Sequence, residues 1–196
     1  MQQKGVVFDI GGVLELPPST GWRARWDHLG EIDARLSNVW TAGALGHISE
    51  SEAEAAIART LGLDATQLDA FMQDVWQEYL GELNSELCAY FAGLRPRCKT
   101  GILSNSFVGA REREERLYGF PAMCDDLVYS HEVGLQKPDP RIFQLSCQRL
   151  RRAPHEVVLL DDVEGHVLAA RAFGMRAILF RDNAQGISDI ETFLAI

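Results

Sequence analysis

Short apolar runs that alternate with helical stretches constrain the fold of this chain more than any other feature. The runs lie at 5–10, 100–104, 127–129, 157–160 and 176–180, and helical periodicity fills 85–95, 107–118, 139–151 and 164–173. Continuous apolar runs separated by helices are typical of strands buried on both faces of a parallel sheet. The sequence therefore predicts an α/β fold in which these five runs form the strands.

A long helical segment interrupts this alternation directly after the first predicted strand. Its helices are predicted at 20–30, 31–42, 49–61 and 64–80. Ser19 or Thr20 is suited to cap the first of them, and Ser49 with Glu52 forms a capping-box pattern before the third. Ligands bind outside the carboxyl ends of strands in open parallel sheets. A segment inserted at that end of the first strand is therefore expected to cover the site.

The inserted segment is rich in aromatic side chains that suit the core of a small helical bundle. They are Trp22, Trp26, Trp40, Phe71, Trp76 and Tyr79. Amphipathic helices bury such side chains against one another, and the alternative that one or two of them face a substrate stays open. The chain is thus predicted to hold a helical cap domain of residues 15–83 and an α/β core domain of residues 1–14 and 84–196.

Polar residues follow four of the predicted strands, at the ends where ligand-binding groups gather. They are Asp9, Ser104 with Asn105, Lys137 in a proline-stiffened loop, and the pair Asp161 and Asp162. Each alone has an ordinary structural explanation, such as a turn cap, a helix cap or a surface charge. Together they supply a carboxylate nucleophile, a hydroxyl, an ammonium and paired carboxylates that suit Mg²⁺. The combination favours a site for phosphoryl transfer.

With these motifs in this order, the chain resembles the haloacid dehalogenase superfamily of hydrolases. The motifs read Phe8-Asp9-Ile10-Gly11-Gly12, Leu103-Ser104-Asn105, Lys137-Pro138 and Leu160-Asp161-Asp162. The chain is similar to the branch with a small helical cap, which includes sugar-phosphate phosphatases and the amino-terminal phosphatase domain of soluble epoxide hydrolases. The resemblance implies a Rossmann-like parallel sheet of five strands with an inserted helical cap. It also implies magnesium-dependent hydrolysis of a small phosphomonoester, such as a sugar phosphate, through an aspartyl-phosphate.

The resemblance also implies a role for each motif residue. Asp9 would attack phosphorus. The implied magnesium ligands are Asp9, the backbone carbonyl of Gly11, Asp162 and, through water, Asp161. The implied phosphate-binding groups are the side chains of Ser104 and Lys137 and the backbone amides of Gly12 and Asn105.

The first motif departs from the usual family pattern at Gly11. Most relatives carry a second aspartate there, which protonates the leaving group and later activates water, whereas some phosphatases of the family carry glycine. General acid–base catalysis is typically worth about 10²–10⁴ in rate, but a metal and a lysine still stabilise charge. Glu15 and His47 are candidate replacements for the missing acid, with ordinary loop positions as the alternative.

Two other functions stay open at this point. A phosphate-binding or interaction protein of the same fold, with little turnover, is favoured by Gly11. A metal-independent 2-haloacid dehalogenase is disfavoured by Asp161 and Asp162, because two carboxylates without a cation repel a carboxylate substrate.

Composition and charge narrow the expected partners and location. The net charge of −9 is unlike that of a nucleic-acid-binding protein, which needs a basic face. No apolar run approaches the ~20 residues that cross a bilayer, and the first residues lack a signal-peptide pattern, so a cytoplasmic location without membrane contact is expected. The four cysteines lack zinc-site spacing and are expected to be reduced thiols. We expect a small phosphorylated metabolite as the partner, and the sequence does not specify an oligomeric state.

Overall fold

The computed structural model describes residues 3–18 and 20–195, so the predicted capping role of Ser19 falls outside the described residues. In chain order, the elements are β1 (Gly5–Phe8), β2 (Glu15–Leu16), α1 (Trp22–Arg25), α2 (Ile32–Ala44), α3 (Glu50–Leu61), α4 (Ala65–Leu80), β3 (Glu82–Leu83), α5 (Ser85–Gly93), β4 (Lys99–Ser104), α6 (Ala110–Tyr118), β5 (Asp126–Tyr129), α7 (Ser130–Val133), α8 (Pro140–Leu150), β6 (Val157–Asp161), α9 (Glu164–Phe173), β7 (Arg176–Leu179) and α10 (Asn183–Ala195). No helix in these ranges is both long enough and apolar enough to cross a membrane.

The predicted α/β fold with a five-stranded parallel sheet is confirmed. The strand order is β5-β4-β1-β6-β7, and each neighbouring pair is parallel. Val6 and Phe8 of β1 pack into one apolar layer, whereas Val7 packs into the layer on the opposite face. Because successive strand residues point to opposite faces, this central strand is apolar at every position. Burial on both faces therefore explains the continuous apolar run.

Helices α1 to α4 form a third apolar cluster, which contains Trp22, Leu36, Ile57 and Phe71 and extends to Phe107 beyond β4. The capping boxes that begin α3 and α4 are present, at Ser49 with Glu52 and at Asp64 with Gln67. Both boxes hold free backbone amides at a helix start. The predicted third and fourth helices of this segment are therefore confirmed.

The prediction of one helix over 20–30 is wrong. The chain forms the single turn α1 and then a 3₁₀ turn at Asp27–Leu29. Trp26 leaves helical geometry at φ −111°, where its ring packs edge-on against Phe71 and its Nε1 donates to Asp74 at 2.8 Å. Tertiary packing of this indole outweighs the local helical pattern.

Two features that were not predicted from the sequence lie at the two ends of the inserted helical segment. The strands β2 and β3 pair antiparallel, so the segments entering and leaving the helices lie side by side. At the other end, Gly43 of α2 packs so closely on Phe107 that a Cβ on it would lie 2.0 Å from the ring. The carbonyl of Ala44 accepts a hydrogen bond from the hydroxyl of Ser130 at 2.7 Å. These contacts hold the helices against the loops that follow β4 and β5.

All four cysteines are buried free thiols, as predicted. Helix α10 was not anticipated by the sequence pattern. It packs on α5 and on the neighbouring strands β6 and β7.

Candidate active site

Asp9 lies directly after β1, at the carboxyl edge of the sheet. Its amide donates to the carbonyl of Leu160 at 2.9 Å, which extends the pairing with β6 by one residue. Its Oδ1 accepts a hydrogen bond from the amide of Ile10 at 2.8 Å, and the residue is 6% exposed. Burial raises the pKa of Asp9 to about 6, against the opposing attraction of Lys137. The carboxylate is thus fixed by the backbone and almost shielded from water.

Lys137 lies between two carboxylates. Its Nζ is 2.8 Å from Oδ2 of Asp9 and 2.6 Å from Oδ2 of Asp161. Burial alone would lower the pKa of Lys137, but the two negative charges outweigh it and raise the pKa above its ordinary value. The lysine therefore stays charged and joins the strand ends of β1 and β6.

The side chain of Asn105 holds the backbone of the lysine in place. Its Oδ1 accepts from the amide of Lys137 at 2.7 Å, and its Nδ2 donates to the carbonyl of the same residue at 2.9 Å. The sequence suggested for Asn105 a helix cap or a backbone amide donor to phosphate. The asparagine that follows β4 also fixes the loop that carries Lys137, a contact between segments far apart in sequence.

Asp161 is fully buried and accepts three hydrogen bonds. Besides Lys137, its donors are the amide of Val163 at 2.9 Å and Nδ1 of His166 at 3.1 Å. Burial would raise its pKa, but the bond from His166 and the charge of Lys137 outweigh it and lower the pKa to about 2. Asp161 is therefore charged, with its oxygens engaged by protein donors. His166 was not among the site residues predicted from the sequence.

Asp162 is exposed and lies against the backbone of Gly12. A Cβ on Gly12 would lie 2.2 Å from Oδ2 of Asp162, and Gly12 has φ +74°, so glycine is required here. Partial burial and the charge of Asp161 raise the pKa of Asp162. Among the ion pairs of the described residues, none involves Asp162. This carboxylate is thus free to accept a cation beside the turn at residues 11–12.

One predicted phosphate donor is engaged elsewhere. The amide of Gly12 donates to the carbonyl of Glu15 at 2.7 Å, because the turn after β1 folds back on itself. The structure therefore does not support this amide as a free donor. Gly12 belongs to the site through its closeness to Asp162.

Ser104 ends β4 and is 2% exposed. Its hydroxyl makes only a long contact, 3.5 Å, to the carbonyl of Asn105. Gly11 lies on the exposed side of the turn after Asp9, where a Cβ would meet no atom within 4 Å. The structure thus brings Asp9, Lys137, Asp161 and the asparagine loop into direct contact, with Ser104 and Gly11 at neighbouring strand ends.

The candidate replacements for the missing acid lie in different surroundings. Glu15 is 2% exposed, and its Oε1 has no hydrogen-bond partner among the described residues. Burial, with the charges of Glu114 and Asp9, raises the pKa of Glu15 to about 10. His47 is exposed to solvent. Glu15 is therefore a protonated, buried acid, and neither Glu15 nor His47 lines the cavity between the inserted helices and the loop after β4.

A cavity of about 370 Å³ lies between the inserted helices and the loop after β4. Its walls are formed by Trp22, Arg23, Asp33, Trp40, Ala44, Val75, Trp76, Glu78, Tyr79, Asn105, Ser106 and Phe107. Four of the aromatic residues predicted to form the helical core thus also face this space. Its volume is in the range of small-molecule sites, about 300–1,000 Å³.

A model of the haloacid dehalogenase-like hydrolases matches residues 3–174, and the chain belongs to this family of hydrolases. The D-ribitol-5-phosphate phosphatase of Bacteroides thetaiotaomicron is 26% identical over 202 residues, which cover 97% of this chain and 98% of that enzyme. Bifunctional epoxide hydrolase 2 of Sus scrofa is 27% identical over 224 residues, which cover 97% of this chain and 39% of that protein. This chain spans less than half the length of three curated relatives that it matches.

A solved structure supports the same fold. The crystal structure of a HAD family enzyme from Bacteroides thetaiotaomicron, in complex with magnesium and inorganic phosphate, has a TM-score of 0.79. It is 19% identical, and the match covers 95% of this chain and 99% of that chain. At this identity the likeness shows the fold.

Proposed function

We propose that this hydrolase is a magnesium-dependent phosphatase that acts on a small phosphomonoester through a covalent intermediate on Asp9. The observation that carries the proposal is the buried contact of Lys137 with Asp9 and Asp161, beside the free carboxylate of Asp162. A matching relative is a sugar-alcohol phosphate phosphatase, and a structural neighbour was solved with magnesium and phosphate. We further propose that residues 15–83 act as a cap domain over a core of residues 1–14 and 84–196.

The charges and donor atoms of the site fit Mg²⁺. Two carboxylates, those of Asp9 and Asp161, contact the ammonium of Lys137, and a third, that of Asp162, lies nearby. A dianionic phosphoryl group would be repelled by this excess of negative charge, so a divalent cation is needed to bring the two together. Mg²⁺ prefers oxygen ligands from one or two carboxylates, with water and phosphate oxygens completing its shell.

We propose Asp9, the carbonyl of Gly11 and Asp162 as direct ligands. Asp161 is less suited to direct binding because Lys137, Val163 and His166 already donate to it. It is proposed to contact the metal through water. When bound, the cation would neutralise charge on the phosphoryl oxygens and orient them.

In the proposed reaction, a carboxylate oxygen of Asp9 attacks phosphorus. The bond from this oxygen to phosphorus forms as the ester bond breaks, and the departing alkoxide takes a proton from solvent because Gly11 has no acidic side chain. The ammonium of Lys137 and the hydroxyl of Ser104 hold the phosphoryl oxygens, assisted by the amide of Asn105. Water then attacks the aspartyl-phosphate, releases inorganic phosphate and restores the carboxylate of Asp9.

The open turn at Gly11 is the observation that favours the second candidate, a phosphate-binding protein with little turnover. The two candidates differ in whether phosphate is released repeatedly. A metal-independent dehalogenase is disfavoured by the exposed carboxylate of Asp162, which has no cationic partner in the described ranges.

The test is an assay of phosphate release from a broad panel of phosphomonoesters, with Mg²⁺ and after chelation. We expect release that depends on Mg²⁺ and is lost in Asp9→Asn, whereas Asp189→Asn, on the exposed face of α10, retains it. Stoichiometric phosphate binding without turnover would support the second candidate instead. Halide release from a haloacid without metal would contradict both.

A further inference from the structure

The walls of the cavity are mainly aromatic. The ring of Phe107 lies 5.5 Å from that of Trp40 and 6.3 Å from that of Trp76, and Trp76 lies 5.4 Å from Tyr79. Trp22 completes the set of rings that line the space. Aromatic surfaces of this kind bind apolar groups by burial and ring contact.

The charged side chains at the cavity are paired with protein groups. Arg23 and Asp33 form an ion pair at 3.2 Å, and both are largely exposed. The carboxylate of Glu78 accepts hydrogen bonds from the hydroxyl and the amide of Thr20. These charges are therefore engaged with neighbours at the edge of the cavity.

The polar residues at its inner end are engaged as well. Both polar atoms of the Asn105 side chain bond to the backbone of Lys137. The hydroxyl of Ser106 lies 2.6 Å from Nδ1 of His131, and its amide donates to the hydroxyl of Ser130 at 2.8 Å. A polyhydroxylated ligand would have to break these bonds or leave its own hydroxyls unpaired.

The inner end of the cavity is linked to the reactive carboxylate through Asn105. Asn105 lines the cavity, directly follows Ser104 and is bonded to the backbone of Lys137, whose ammonium contacts Asp9. A phosphomonoester bound with its phosphorus beside Asp9 would therefore have the aromatic space within reach of its organic group.

From these observations we infer that the substrate is a phosphomonoester with an apolar organic group, aromatic or alkyl, which binds between the aromatic walls. The inference rests on the proposed phosphatase function and narrows its substrate class. A polyol or sugar phosphate is disfavoured because the charged groups at the edge of the cavity and the polar side chains of Asn105 and Ser106 are already paired. The indole N–H groups of Trp22 and Trp76 are lining donors without a partner among the described residues. Trp40, which is half-buried, is the wall residue best suited to substitution.

The first test compares phenylethyl phosphate and hexyl phosphate with sorbitol phosphate, all esters of primary alcohols with similar leaving groups. We expect kcat/KM to be at least ~10-fold higher for the two apolar esters. Trp40→Ser is expected to reduce this preference by ~10-fold through KM, whereas Trp40→Phe retains it. Equal or better turnover of sorbitol phosphate would overturn the inference and leave the phosphatase proposal intact. Turnover of none of the esters would contradict the phosphatase proposal.

A binding measurement decides the inference independently of turnover. Three of the four tryptophans, Trp22, Trp40 and Trp76, line the cavity, and Trp26 does not. Phenylethylphosphonate, which is not hydrolysed, should change the tryptophan fluorescence. The change should shrink in Trp40→Phe and persist in the matched variant Trp26→Phe. No fluorescence change in the parent protein, or the same change with inorganic phosphate alone, would overturn the inference. Because this result comes from the parent protein, it holds even if either variant folds poorly.

Discussion

The ammonium nitrogen of Lys137 lies 2.8 Å from Oδ2 of Asp9, and both side chains are almost completely removed from solvent. A buried ion pair stabilises a fold only weakly, because desolvation opposes the attraction. In the proposed reaction its arrangement would have a chemical use, since the ammonium fixes one carboxylate oxygen and lies where phosphoryl charge would develop. The same contact therefore has consequences for both stability and catalysis.

Lys137→Met should lower both the unfolding free energy and the phosphatase activity. Removing the ammonium leaves Asp9 and Asp161 as buried carboxylates without their shared partner, which we expect to cost about 3–5 kcal/mol of unfolding free energy. Phosphatase activity should fall by ~10²–10³ or more. Denaturant unfolding and steady-state assays measure the two effects. In the double variant Lys137→Met, Asp161→Asn, stability should partly recover while activity stays low. A single variant as stable as the parent would contradict this account of the pair.

Gly11→Asp should increase the rate. A Cβ at this position meets no neighbour within 4 Å, and the backbone is outside the left-handed region, so an aspartate fits without strain. A side-chain acid beside the leaving group is worth about 10²–10⁴ in rate, and the gain should be larger for alkyl esters than for nitrophenyl phosphate. Kinetic assays that compare Gly11→Asp with Gly11→Asn, whose side chain has the same size but no acid, measure this gain in rate. Equal rates in the two variants would show that the space at Gly11 does not serve proton transfer.

Gly43→Ala should disturb the contact between α2 and the loop after β4. The added Cβ would lie 2.0 Å from Cε2 of Phe107, so the ring or the helix must move, at an expected cost of about 1–3 kcal/mol. Gly93→Ala is the matched control, because its Cβ meets nothing within 4 Å at the end of α5. That change should be neutral or stabilise by up to ~1 kcal/mol. Thermal unfolding of both variants checks the prediction, and equal effects would refute the close packing of Gly43.

Stability should fall as the pH rises above the ordinary pKa of glutamate. Glu114 is fully buried and accepts a hydrogen bond from the hydroxyl of Tyr129 at 2.7 Å. Burial raises its pKa from 4.5 to about 7. The folded protein thus keeps a proton that the unfolded chain loses between these values, so unfolding becomes easier by roughly 1 kcal/mol per pH unit across that window.

Melting temperatures across this pH window measure the effect. Glu114→Gln should flatten the dependence, whereas Glu115→Gln, an exposed neighbour on α6, should leave it unchanged. The pKa of Glu15 is raised to about 10, so Glu15 adds to the decline across this window, maintains part of it in Glu114→Gln, and extends it to higher pH. A melting temperature that rises across the window in the parent would contradict the buried, protonated state of these acids.

The strands of the sheet could be predicted because each is specified by a short apolar run that is continuous in the sequence. The run at residues 157–160 is apolar at every position, and the strand Val157–Asp161 differs from it by one residue. The candidate site followed from the same logic, since parallel strands end at one edge and bring their following residues together. Which side chains then touch one another depends on distant segments, so the contact between Asn105 and the backbone of Lys137 was not predicted.

Tertiary packing also overrode two local patterns. The charged stretch 111–116 has the composition of an exposed helix face, yet Glu114 points inward to Tyr129. The segment around Trp26 has helical spacing but bends where the indole meets Phe71 and Asp74. The aromatic side chains of the inserted helices were mainly assigned to the core of a helical bundle. Their second role as cavity walls depends on the loop that carries Phe107.

The central claim, that Asp9 is the nucleophile, is tested most directly by trapping the intermediate. The protein is mixed with Mg²⁺ and a phosphate-labelled ester that it hydrolyses, quenched in acid during turnover, and digested for mass spectrometry. The account predicts a phosphoryl group on the peptide that contains Asp9, removed by hydroxylamine and absent in Asp9→Asn. Label on another peptide, or steady turnover with no labelled peptide at any time point, would contradict it.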